Sequence, residues 1–196
     1  MLKILRGFTL IELVIGVAIL AILIALAAPG FSSWIRDVGI RTTAGTLLDG
    51  LQLARSEALK RNTLIRFQLT STVDGSCAPS TSGPHWIVSR DDATGLCHVA
   101  PSDTDTPRAV RVHDGTQAGG RNTLINATQA TFIFNGLGRF TSSAASILVS
   151  GAAGEGDCAH AGSGNDRCLR IEVSPGGSIR MCDPALPSTD PQACLP

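Results

Sequence analysis

The sequence predicts an α+β protein, with one long N-terminal helix followed by a head built on an antiparallel β-sheet. Three observations carry this expectation. An apolar run from Phe8 to Ala28 is followed, after Pro29-Gly30, by a stretch whose apolar residues recur at spacings of three and four as far as about Arg61. From Thr63 onward, short alternating runs are separated by Gly, Ser, Pro and Asn, the pattern of strands and turns. Six cysteines, Cys77, Cys97, Cys158, Cys168, Cys182 and Cys194, all lie in this second part. An even number beyond an apolar segment points to disulfides formed in an oxidising compartment.

At 196 residues the chain has room for one domain and an anchor. Its charges balance, 16 basic against 16 acidic. Loss of Met1 to Gly7 would remove Lys3 and Arg6 and leave the remainder slightly acidic. Global charge therefore gives nucleic-acid binding no support.

The first element is the apolar run. At roughly 1.5 Å per residue it spans roughly 30 Å as a helix, about one hydrocarbon core. Lys3 and Arg6 precede it, which keeps the N-terminus cytoplasmic and exports the rest. Glu12 is the one charged residue between Phe8 and Ala28. A carboxylate within a membrane segment is costly and marks a functional residue. A plain anchor gives no reason for Glu12. A conventional signal peptide cleaved near Ala25-Leu26-Ala27 does not either, and the run is longer than the usual core of such a peptide.

Next comes a helix kink. Pro29 removes a backbone hydrogen bond, so Pro29-Gly30 is expected to bend or locally melt the helix. In residues 29–62 the helix continues with Ala44, Leu47, Leu48, Leu51, Ala54, Ala58 and Leu59 forming one apolar stripe. The whole stripe is expected to pack on a sheet, with Arg41, Asp49, Gln52, Arg55, Glu57 and Lys60 mainly on other faces.

Residues 63–196 form the β-rich head. Strands are expected at Thr63 to Thr70, His85 to Ser89, Ala109 to His113, Ala130 to Asn135, Arg139 to Ser142, Ile147 to Ser150, Leu169 to Ser174 and Ser178 to Cys182. Asn135-Gly136-Leu137-Gly138 and Ser174-Pro175-Gly176-Gly177 read as hairpin loops. Segments 71–84, 91–107 and 151–167 have loop composition. Six cysteines allow many connectivities, and neighbour pairing, 77–97, 158–168 and 182–194, is the expectation.

Catalytic and metal chemistry find little footing. None of His85, His98, His113 and His160 falls in a zinc-protease helix motif or a nucleophile elbow. Cys97-His98 and Cys158-Ala159-His160 lack the spacing of zinc sites. Asp91-Asp92 and Asp103-Thr104-Asp105 read as solvated loop acids before they read as calcium ligands. The expectation is no enzyme, no cofactor and no metal.

The string from Gly7 through Phe8-Thr9-Leu10-Ile11-Glu12 to Pro29 resembles the prepilin, or class III, signal of type IV pilins and type II secretion pseudopilins. Leu53 to Ala58, Lys60-Arg61-Asn62, Phe134 to Arg139 and Ile179 to Pro184 are similar to the FimT/GspH branch of minor pilins and pseudopilins. The resemblance implies a pilin-like fold and a leader, residues 1–7, removed after Gly7 by a prepilin peptidase. It implies N-methylation of Phe8, a transmembrane helix over 8–28 and a periplasmic head. Glu12 would meet the N-terminal amine of a neighbouring subunit during assembly. The implied partners are other major and minor pilins or pseudopilins, the peptidase and the inner membrane.

Three roles exist within this branch: priming of type IV pilus assembly at the tip, the pseudopilin H position of a type II secretion system, and DNA binding by competence pilins. The DNA-binding members carry a glycine-arginine-x-arginine motif. The matching stretch here is Gly177-Ser178-Ile179-Arg180, with the first arginine replaced by Ser178. Arg139 and Arg170 are the residues that would share a DNA-binding face with Arg180. Each lost phosphate contact weakens binding, so the replacement at Ser178 counts against DNA.

Overall fold

A computed structural model describes residues 9–116, 123–151 and 168–194, with helix side chains described outside 25–33. Contacts divide the chain into two compact units, Met1–Ile35 and Arg36–Pro196. Helix α1, Leu10–Arg61, contributes to both. The helix runs unbroken through Pro29 and Gly30, so the local melting considered for that dipeptide does not occur.

The helix ends on an αL residue. Asn62 has φ 48°. Its N–H donates to the Leu59 carbonyl at 3.4 Å, and the Thr63 N–H donates to the Ala58 carbonyl at 3.3 Å. This pairing is a Schellman cap, with asparagine in the place glycine usually takes.

Eight antiparallel strands follow: β1 (Ile65–Thr70), β2 (His85–Ser89), β3 (Ala109–His113), β4 (Thr123–Ala127), β5 (Thr131–Phe134), β6 (Ala145–Gly151), β7 (Leu169–Val173) and β8 (Ile179–Cys182). They form two sheets rather than one, in the orders β3-β2-β1-β5 and β4-β6-β7-β8. Strand β4 has no counterpart in the sequence reading. Conversely, Arg139 to Ser142 is not a strand, and only an isolated bridge joins Phe140 to Phe134. The 151–167 segment lies outside the described residues beyond Gly151.

One core joins both sheets to the helix. Ile40, Ala44, Leu47, Leu51, Ala54 and Ala58 share it with Phe67, Trp86, Phe132, Phe134, Ile147 and Ile171. Each large apolar side chain buried there contributes about 1.5–3 kcal/mol. Gly50 sets how closely the helix approaches, because a Cβ there would lie 2.6 Å from the Phe67 ring and 3.1 Å from Trp86. Leu59 departs from the expected stripe. It is 50% exposed, because it sits in the last helical turn, beside the 135–138 loop rather than over a sheet. Glu57, expected on another face, is buried to 9% exposure beneath its ion pairs.

Candidate assembly site and the C-terminal arginines

The first helical turn is built by a reciprocal cap. Thr9 immediately precedes the helix, and Glu12 lies three residues on. The Glu12 N–H donates to Thr9 Oγ1 at 3.3 Å. The Thr9 N–H and hydroxyl both donate to Glu12 Oε2 at 3.4 Å. This arrangement is a capping box: each residue satisfies a backbone donor of the other, and a carboxylate sits where the helix dipole favours negative charge. Gly7 and Phe8, the expected cleavage and N-methylation positions, lie outside the described residues.

Around Glu12 the helix surface is apolar. From Leu10 to Ile24 every large apolar side chain is more than half exposed. A contiguous apolar face of this kind needs covering by lipid or by other helices. Among the described residues no helix is long and apolar enough to cross a membrane, and the described side chains of the run stop at Ile24.

In the head, two expected disulfides are present, Cys77–Cys97 and Cys182–Cys194. Cys168 is also disulfide-bonded, and its expected partner Cys158 lies outside the described residues. The first bridge staples the 71–84 and 90–108 loops over a small cluster of Ile87, Ala93 and Ala109. Because Cys97, Cys182 and Cys194 are oxidised, their sulfurs are not thiolate ligands, and this covers Glu172-Cys182-Cys194, the one group with metal-ligand spacing among the described residues.

The loop acids have protein partners. The Arg108 guanidinium holds the Asp91 carboxyl below the usual carboxylate range. Thr94, through its hydroxyl and its N–H, does the same for Asp92. Arg61 lowers Asp103, and the Ser102 hydroxyl donates to Asp105. These contacts tie the 91–107 loop to itself and to the helix end.

The three arginines are placed unequally. Register Arg170↔Cys182 and Glu172↔Arg180 puts Arg170 and Arg180 on one face of the second sheet, with Glu172 beside them. Arg180 Nε donates to Glu172 Oε2 at 2.8 Å, and a terminal nitrogen reaches the Ala193 carbonyl at 3.4 Å. Arg139 is exposed in the loop after β5, outside the β7–β8 ladder, with its Cα beside Gly177. The structural role of Glu172 and the tail was not legible from the motif, because neither belongs to it.

The family described as Type II transport protein GspH matches residues 43–177, which covers the last third of the helix and most of both sheets. The chain belongs to the GspH family. A prokaryotic N-terminal methylation motif also matches, over residues 5–28. This GspH-family chain is therefore of the minor pilin and pseudopilin class, whose members assemble with other pilins. Its fold is the expected α+β arrangement of a helix on antiparallel sheets. Among solved structures it is similar to the type IV minor pilin FimU of Pseudomonas aeruginosa in two crystal forms. One has 18% identity and a TM-score of 0.47 over 79% of this chain and 99% of the crystallised chain. The other has 18% identity and a TM-score of 0.46 over 80% and 95%. No curated protein sequence matches it.

Proposed function

We propose that this chain is a minor pilin that is cleaved between Gly7 and Phe8, N-methylated at Phe8 and built into the priming complex at a type IV pilus tip. The observation that carries this reading is Glu12, a lone carboxylate at the start of a helix whose large apolar side chains are exposed from Leu10 to Ile24. Packing among apolar helices is non-directional, so a charge is needed to set register, and a cleaved N-terminal amine supplies its counterpart. The head then selects partners. Before assembly the apolar segment anchors the chain in the inner membrane, with Lys3 and Arg6 on the cytoplasmic side.

The second reading is pseudopilin H of a type II secretion system, and the description of the matching family favours it. The Cys182-Asp183-Pro184 tail and paired cysteines favour the pilus by analogy. DNA binding has less support, since Arg180 is engaged by Glu172 and the tail. The deciding experiment is a surface pilus count in a strain lacking this chain alone, with the complemented strain as control. Loss of pili is the expected outcome. Unchanged pili with lost protein secretion would transfer the role to the secretion machine.

A further inference from the structure

We infer that the turn after β5 is a docking point, at which Leu137 enters an apolar recess flanked by carboxylates on the head of a second pilin subunit. The docking point serves the proposed assembly role and rests on that reading. Leu137 is 74% exposed, more than any other large apolar side chain among the described residues of the head. A single exposed leucine is ordinary. This one has apolar company. Leu59, half exposed, lies against Gly138. Leu64, also half exposed, leads into β1, whose first residue Ile65 pairs with Phe134.

The turn is fixed before any partner arrives. Asn135 Oδ1 accepts from the Leu137 and Arg139 N–H groups, each at 3.0 Å. The Asn135 N–H donates to the Arg139 carbonyl at 2.9 Å, and the Gly138 N–H donates to the Asn135 carbonyl at 2.8 Å. Gly136 packs on the helix cap, where a Cβ would lie 2.8 Å from the Asn62 carbonyl carbon. Phe134 and Phe140 are buried at the two ends of the turn, with ring centroids 5.8 Å apart. Rigid presentation lowers the cost of binding, because little conformational freedom is left to lose. Covering the leucine then contributes about 1.5–3 kcal/mol.

Charge identifies what covers it. Arg55, Lys60, Arg61 and Arg139 stand on the turn and the last two helical turns. Against them are Glu57 and Asp103, both paired with Arg61. The surround of the turn is therefore net positive and suits an acidic partner. Arg139, exposed two residues from Leu137, offers a planar fork that fits a carboxylate. A nucleic-acid backbone would match the charge but leave Leu137 without an apolar contact. A protein surface with a recess and acidic flanks satisfies both.

The test uses the full chain in cells assembling filaments. A photoreactive benzophenone side chain is placed at position 137, and its adducts are identified by mass spectrometry. The expected adduct is a pilin-like subunit, joined within a segment that contains Asp or Glu. Adducts to lipid or nucleic acid alone, or none, would overturn the docking point. In parallel, the fraction of processed chain recovered in sheared filaments is measured for Leu137→Asp, Leu137→Ser, Arg139→Glu and Arg139→Lys. Membrane level and disulfide pattern matching wild type establish that each variant folds. Both Leu137 variants and Arg139→Glu should fall roughly tenfold, and Arg139→Lys less. Wild-type incorporation of both Leu137 variants would overturn the docking point, while a defective Glu12→Ala would leave the assembly role standing. Normal incorporation of Glu12→Ala as well would overturn the assembly role itself. Loss at Leu137 with none for Arg139→Glu would overturn the acidic character of the partner.

Discussion

Gly177 rests against the carbonyl of Gly138: a Cβ at Gly177 would lie 1.9 Å from that oxygen, and the backbone φ there is +83°. The same carbonyl accepts a hydrogen bond from Arg55 Nε at 3.2 Å. The β7–β8 hairpin, the loop after β5 and the helix therefore meet at one peptide group. Gly177→Ala combines a left-handed conformation with a backbone clash. It should cost at least about 2 kcal/mol, seen as a fall in melting temperature of roughly 4–8 °C. Gly176→Ala is the control, since its Cβ would meet nothing nearer than Ser174 Oγ at 3.7 Å. Equal melting temperatures for the two variants would contradict the close approach.

Glu57 gives the head a defined acid sensitivity. A hydrogen bond from Arg61, at 2.5 Å, holds its carboxyl below the ordinary glutamate value against the opposing effect of burial. A folded value below the unfolded one contributes stability that is present above the unfolded value, about 4.3, and is lost as pH falls through the folded value. Melting temperature should therefore drop on acidification below about pH 4.3. Glu57→Gln should be less stable by about 1 kcal/mol at neutral pH and show a shallower acid limb. A parallel curve for the variant would assign the acid sensitivity elsewhere.

His113 acts at higher pH. Its ring stacks on Trp86 with centroids 4.8 Å apart. Burial lowers its pKa, Arg111 adds to the effect, and Asp114 opposes it. A depressed folded value again means stability present above the unfolded value, near 6.5, and lost as pH falls below it. His113→Phe keeps the stacking and removes the titration. The variant should lose the pH dependence of melting temperature just below about pH 6.5, a comparison thermal scans can make directly.

The Cys182–Cys194 bridge should stabilise the second sheet's edge. It closes a sequence separation of 12, and the tail it holds pairs Asp183 with Ala193 and supplies the carbonyl that Arg180 reaches. Replacing both cysteines by alanine should cost about 2–3 kcal/mol. It should also admit protease to the 183–192 segment while the helix-facing core stays protected. Unchanged digestion would show that the tail holds without its bridge.

Processing and assembly have separate expected signatures. Gly7→Val should leave the precursor mass intact, because a branched side chain occupies the position directly before the proposed scissile bond. Glu12→Ala should be inserted and cleaved but enter filaments poorly, because in the proposed assembly its removal would leave the neighbouring amine unpaired. Intact mass and filament fraction read the two effects separately.

Local chemistry made much of this protein legible in its residues. The apolar run, the three-and-four spacing to Arg61, the Asn135–Gly138 and Ser174–Gly177 turns and two observed disulfide pairings all follow from neighbours in the chain. The Thr9–Glu12 cap is equally local, a Thr-x-x-Glu pattern ahead of an apolar run. What required tertiary structure were relationships between distant segments. The exposed Leu124 breaks the apolar–polar alternation of strand β4, so only pairing with β6 defines it. The division into two sheets depends on which edges close, and alternation carries no information about that. Leu59 shares the spacing of the buried stripe yet remains exposed, because burial is decided by what lies opposite. Arg180 has the motif position of a DNA contact, but Glu172 across the ladder and the Ala193 carbonyl occupy it. Periodicity assigns a side chain to a face of its own element; only the packed chain decides what that face meets.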